Sequence, residues 1–190
     1  VAISNFETAA SAPTSLAVDG GACLGAVALG LRSGKLDSFA ARAVILATGS
    51  FTRMYFPSTV SVGTTGDGQA LAYQSGAALM DMEMVQFHPT GLLAGSDTRM
   101  TGNVLEEGLR GAGGYLLNGA RERFMQQHDA RAERATRDIV SRAIFAEMRA
   151  GNTTPNGGVY LTMNHLGAEH VRAAFKGMVE RCADCGFDLA

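Results

Sequence analysis

Apolar and polar positions alternate over residues 15–19, with Leu16 and Val18 on one face, and a mainly apolar stretch follows at 23–31. Between them, Gly20-Gly21 supplies the positive φ that a two-residue hairpin turn needs, so the two stretches are expected to be antiparallel strands. Arg32-Ser33-Gly34-Lys35 marks a second turn, after which Phe39 and Ala41 lead into AVILA at 43–47. Apolar residues in succession, rather than in alternation, predict a parallel strand buried on both faces. That strand ends at Thr48-Gly49, where glycine lets a ligand come close to the backbone. This is the carboxyl edge at which open α/β sheets bind their ligands.

A loop containing Pro57 comes next, and Thr64-Thr65-Gly66-Asp67-Gly68 then opens a helical stretch over 69–75. Residues 78–85 read as a strand with Met80, Met82 and Met84 along one face. Thr136 is placed to N-cap a helix running to about Met148, with Asp138 near the positive end of its dipole. Val140, Ala143, Ile144 and Met148 form its apolar stripe. A short strand is expected at 157–163, followed by a helix over 168–183 on Val171, Phe175, Met178 and Cys182. Strands first and helices later predict a mixed α+β or α/β chain in two pieces, with the boundary near residues 76–90.

Composition narrows the function classes. Glycine makes up 24 of 190 residues, near double the usual ~7%, and so is worth tracing to particular turns. A net charge of −2 argues against nucleic-acid binding, which needs clustered Lys and Arg. No run approaches the ~18 apolar residues of a membrane-spanning helix. Residues 1–14 lack the basic start and apolar middle of a secretory leader. Val rather than Met at position 1, together with the stop at Leu189-Ala190, suggests a piece of something longer. Cys23, Cys182 and Cys185 form no disulfide framework and fit a reducing, cytoplasmic compartment. Cys182 and Cys185 are a lone CxxC with no second pair, so no metal is expected.

Four segments could carry chemistry. The Thr48-Gly49 strand end with Gly66, Asp67 and Gly68 could accept a large flat or phosphorylated ligand, or it could simply be two turns and a helix start. In Gln86-Phe87-His88-Pro89-Thr90-Gly91, the proline holds His88 in an extended backbone, where it could bind an anion or be a satisfied structural histidine. Glu106 and Glu107 precede Arg110 and a glycine-rich run. Glu107 and Arg110 are three apart and share a helical face, as a working pair or as a surface ion pair worth under ~1 kcal/mol. Arg137 opposes the helix dipole in the first turn, so a substrate carboxylate, Glu107 or Asp138 must compensate for it.

In this order, ATGS, TGDG, MDMEMVQFHPTG, EEGLRGAGGYLLN, ERFM and TRDIVSRAI resemble the flavoprotein subunit of succinate dehydrogenase and fumarate reductase. The related L-aspartate oxidase shares these motifs. The resemblance implies the end of an FAD-binding domain over 1–80, followed by a small capping domain over 81–190. It implies FAD as cofactor, contacted through Thr48, Gly49 and Asp67, and a C4 dicarboxylate bound by His88. Arg137 would be the proton donor or acceptor opposite the flavin, relayed through Glu107 and Arg110. Glu106 stands where the family carries a substrate-binding Thr, so either the substrate differs or Glu106 points away from it; Ala112 replaces a family glutamate. The implied partners are a membrane anchor and an iron-sulfur subunit, which would hold a cytoplasmic protein at the inner face of a membrane. The alternatives are L-aspartate oxidase and a non-catalytic capping module.

Overall fold

The computed structural model describes residues 2–4, 11–56, 58–61, 63–95 and 100–190, with the backbone alone at 2–4, 11–14 and 107. Pro57 lies outside the described residues. The chain divides into two compact units, Val1–Val85 and Gln86–Ala190.

The first unit contains β1 (Ala2–Ser4), β2 (Ser11–Asp19), β3 (Ala22–Gly30), β4 (Leu36–Ala40), β5 (Ile45–Ala47) and α1 (Asp67–Gln74). Strands β2, β3 and β4 form an antiparallel meander in that order. Gly20 and Gly21, at φ 51° and 81°, make its first turn as expected, because side-chain-bearing residues avoid two consecutive positive φ values. β5 pairs in parallel with β1, Ala2 opposite Ile45, so the parallel expectation for AVILA holds. Burial on both faces does not: Ile45 is 67% exposed. A sheet of two three-residue strands offers one ladder, and among the described residues no layer covers that side chain.

The strand expected at 78–85 is also absent. Asp81 adopts φ 55°, which breaks the extended run, and the Met84 N–H donates to the Asp81 carbonyl in a turn. The alternating methionines therefore line no strand face, and Met80 and Met84 are 82% and 75% exposed.

The second unit contains α2 (Glu107–Gly111), β6 (Tyr115–Leu117), α3 (Arg137–Ala150), β7 (Tyr160–Thr162), α4 (Ala168–Ala174) and α5 (Lys176–Ala183). β6 and β7 are antiparallel. Helix α3 begins after Thr136, as expected, and ends at Gly151 in the left-handed geometry usual for a helix stop. Val140 and Ala143 are buried, but Met148 is exposed. Eight residues past Val140, it has rotated about 80° off the stripe. The single helix expected over 168–183 is two, because Phe175 leaves helical geometry at φ −125° and ψ 35°, two residues before the helix-weakening Gly177.

Two apolar clusters hold this unit together. One gathers Leu116, Phe124, Met125, Val140 and Ala143, and the other gathers Leu109, Met163, Val171, Met178, Cys182 and Leu189. Leu161 of β7 packs against both. Leu109 anchors α2 in the second cluster, and its neighbour Arg110 is only 2% exposed.

Candidate functional site

The segment around His88 is fixed by main-chain pairing. The Leu105 N–H donates to the Thr90 carbonyl (2.9 Å) and the Leu92 N–H to the Asn103 carbonyl (2.8 Å), while the Thr90 hydroxyl donates to the Leu105 carbonyl (3.0 Å). The QFHPTG run is thus tied to the strand-like residues that lead into α2. The His88 Nδ1 accepts the Thr90 N–H at 3.3 Å. A backbone N–H can only donate, so Nδ1 carries no proton there and the ring presents its donor at Nε2.

The start of α3 is pinned to the same run. Arg137 Nη1 donates to the Gln86 side-chain oxygen (3.0 Å), and the Ser141 hydroxyl donates to the Phe87 carbonyl (3.3 Å). The guanidinium at 137 is therefore bonded to a residue two positions from His88, and the two side chains singled out in the sequence belong to one framework. Asp138, expected as a possible counter-charge for Arg137, has its carboxylate on the Thr136 hydroxyl (2.6 Å) and on Arg142 (2.9 Å). The Thr136 hydroxyl and then nearby donors, Arg142 among them, hold that carboxyl below its usual range. Thr136 thus occupies the N-cap position without a side-chain cap bond.

Arg110 is held from a different direction. Its Nη1 donates to the Glu133 backbone carbonyl at 2.9 Å, and the Glu133 carboxylate receives Arg123 through two bonds, at 2.9 and 2.6 Å. Burial opposes the Glu133 charge, but Arg123 and the Leu116 N–H outweigh it and hold the carboxyl below its usual range. Glu106 is exposed at the N-cap of α2. The Glu107 side chain lies outside the described residues, so the expected Glu107–Arg110 contact does too.

Thr48, Gly49 and Asp67 belong to the first unit. Gly68 sits so close to the Thr48 side chain that a Cβ there would overlap the hydroxyl, which locks the end of β5 against the start of α1. Gln69 donates to the Gly49 carbonyl (3.2 Å), and Asp67 accepts the Thr65 hydroxyl (2.8 Å). The Gln69 Oε1 is buried and, among the described residues, accepts no hydrogen bond. An orphan acceptor beside the positive-φ Gly49, at the carboxyl end of a parallel strand, suits a ligand rich in hydroxyl and N–H donors, as FAD is.

Sequence reasoning missed Gln86, Ser141, Glu133 and Gln69. Gln86 and Ser141 stood inside motifs already singled out and Gln69 directly follows one, whereas Glu133 carries no local signal. Only the fold shows what they touch.

A family model described as an FAD binding domain matches residues 7–189, and the chain belongs to that family. It is 42% identical over 93% of its length to a subunit of the CoM/CoB fumarate reductase of Methanothermobacter marburgensis, covering 32% of that protein. It is 42% identical over 87% of its length to the succinate dehydrogenase flavoprotein subunit of Rickettsia bellii, covering 27%, and 40% identical over 88% to the L-aspartate oxidase of Pseudomonas aeruginosa, covering 30%. Among solved structures, a mutant FrdA of E. coli quinol fumarate reductase matches 95% of this chain, and 32% of its own, at TM-score 0.81 and 34% identity. The chain thus spans about a third or less of these relatives. Among the described residues no helix is long and apolar enough to cross a membrane.

Proposed function

We propose that this chain is part of an FAD-dependent oxidoreductase that interconverts succinate and fumarate. The observation that carries the reading is the bond from Arg137 to Gln86, with Ser141 on Phe87, which joins the guanidinium to the His88 segment. In this reading Val1–Val85 is the end of the flavin domain and Gln86–Ala190 is most of the cap over the substrate. Thr48, Gly49, Asp67 and Gln69 help to hold FAD, which when bound supplies the hydride acceptor or donor.

His88 donates from Nε2 to a substrate carboxylate and keeps the dicarboxylate oriented. Arg137 gives or takes the proton on the carbon next to that carboxylate. A fixed guanidinium and a fixed N–H donor here stabilise charge building up on the substrate. A guanidinium, with a pKa above ~12, can serve only if its proton is restored at once. Arg110, with Glu107, fills that role, and its burial keeps the relay away from bulk water. A membrane anchor and an iron-sulfur subunit complete the assembly, placing the protein on the cytoplasmic side of a membrane.

L-aspartate oxidation is the second reading, favoured by the Pseudomonas relative and by the acidic Glu106 beside α2, which suits an ammonium-bearing substrate. Full-length protein carrying this segment should contain stoichiometric flavin and turn over fumarate or succinate. Turnover of L-aspartate alone would select the second reading, and flavin-free protein would leave only a non-catalytic cap. Arg137→Lys should lower kcat at least ~100-fold with FAD retained; undiminished turnover would refute the proton-transfer role.

A further inference from the structure

Arg110 is among the most deeply buried side chains of the second unit, and one of the bonds that aims it comes from far along the chain. Its Nη1 meets the carbonyl of Glu133, 23 residues further along the chain. That carbonyl lies in the short 3-10 turn Ala132–Arg134, entered through Ala132 at φ 50°. This left-handed geometry is unfavourable for a residue with a Cβ and persists only where its surroundings impose it. The Glu133 side chain that follows it is tied down at several points. Its carboxylate accepts the Leu116 N–H at 3.1 Å and the forked guanidinium of Arg123. Arg123 is itself immobilised, with its guanidinium 3.8 Å over the Tyr115 ring. Tyr115 also stacks on His165 at 3.8 Å and 3°. Two groups cannot share one face at that distance, so the ring is clamped from both sides.

The division of labour inside Glu133 matters for a proton relay. In the relay reading Arg110 already works with Glu107, and a second carboxylate charge placed on it would favour its charged form and hold its proton. Here the carboxylate charge is taken up by Arg123, and what Glu133 gives to Arg110 is the neutral carbonyl, which orients without adding a full negative charge. We propose that Glu133, anchored by Arg123, is a positioning residue for Arg110, keeping the buried guanidinium aligned for proton transfer. The proposal rests on the relay reading of Arg110 given above.

The test is a double-mutant cycle on full-length, flavin-loaded protein, with FAD absorbance per chain as the check on folding. Glu133→Gln should lower kcat about tenfold or more, leave KM for the dicarboxylate within about twofold, and enlarge the solvent deuterium isotope effect. In an Arg110→Lys background it should cost less than about twofold further, because residues acting as a unit are non-additive. Where Glu133→Gln fails to load flavin, Arg123→Lys should give the same non-additivity. If the two losses multiply in the double variant, positioning is overturned while the relay stands. If Arg110→Lys alone turns over at the unsubstituted rate, the relay reading falls and positioning falls with it.

Discussion

The two units stabilise their chemistry in opposite ways. In Val1–Val85, order comes from ladders and close backbone approach: a three-stranded meander, a short parallel pair, and Gly68 set against Thr48. Ala26 and Ala28 are its only buried apolar side chains among the described residues, while Leu24, Leu36 and Ile45 face outward. In Gln86–Ala190 two apolar clusters surround α2 and α3, so Arg110 and Arg137 stand on packed elements. A charged group needs rigid surroundings to keep its geometry, and large interdigitated side chains provide that where a ladder of glycine and alanine does not.

The sharpest way to break this contrast is to truncate one leucine in each unit. Leu116→Ala, in the core under the Glu133 network, should cost about 2–5 kcal/mol, whereas Leu36→Ala should fall within about 0.5 kcal/mol. Urea unfolding of the 190-residue chain, followed by circular dichroism, reads both; equal losses would mean that the units do not differ.

Next in size is the acid response of the second unit. The Glu133 carboxyl is depressed in the folded state, so it binds its proton less readily than in the unfolded chain. Its contribution is fully present above the ordinary Glu value of 4.5 and is lost as pH falls below that through the folded value. Melting temperature should therefore drop between about pH 5 and pH 3 by more than it does in Glu133→Gln. Parallel curves for the two proteins would remove Glu133 from the acid response. The smallest effect belongs to the solvated Asp138–Arg142 pair. Arg142→Ala should lower the melting temperature only slightly at low salt, and the difference should vanish in concentrated NaCl.

Local chemistry made much of this legible in advance. Gly20-Gly21 requires its turn, AVILA reads as parallel, and Thr136 with the Val140 and Ala143 spacing starts α3 where it was expected. His88 and Arg137 could be named because their motifs are compact. What escaped was tertiary. Met80, Met82 and Met84 alternate as a strand would, but a strand also needs an edge to pair with, and Asp81 turns the chain away. Phe175 breaks a helix whose apolar stripe continues across the break. Glu133 lies in a charged run that looks like solvated surface, and only folding brings Arg123, Leu116 and Arg110 to it.

The parallel match of Ala2 with Ile45 has a kinetic consequence. Joining segments so far apart in the chain is entropically slow if the intervening stretch is slack. That stretch is the meander, whose hairpins need only neighbouring residues and form on the microsecond scale. Once zipped, it shortens the effective tether between the two ends.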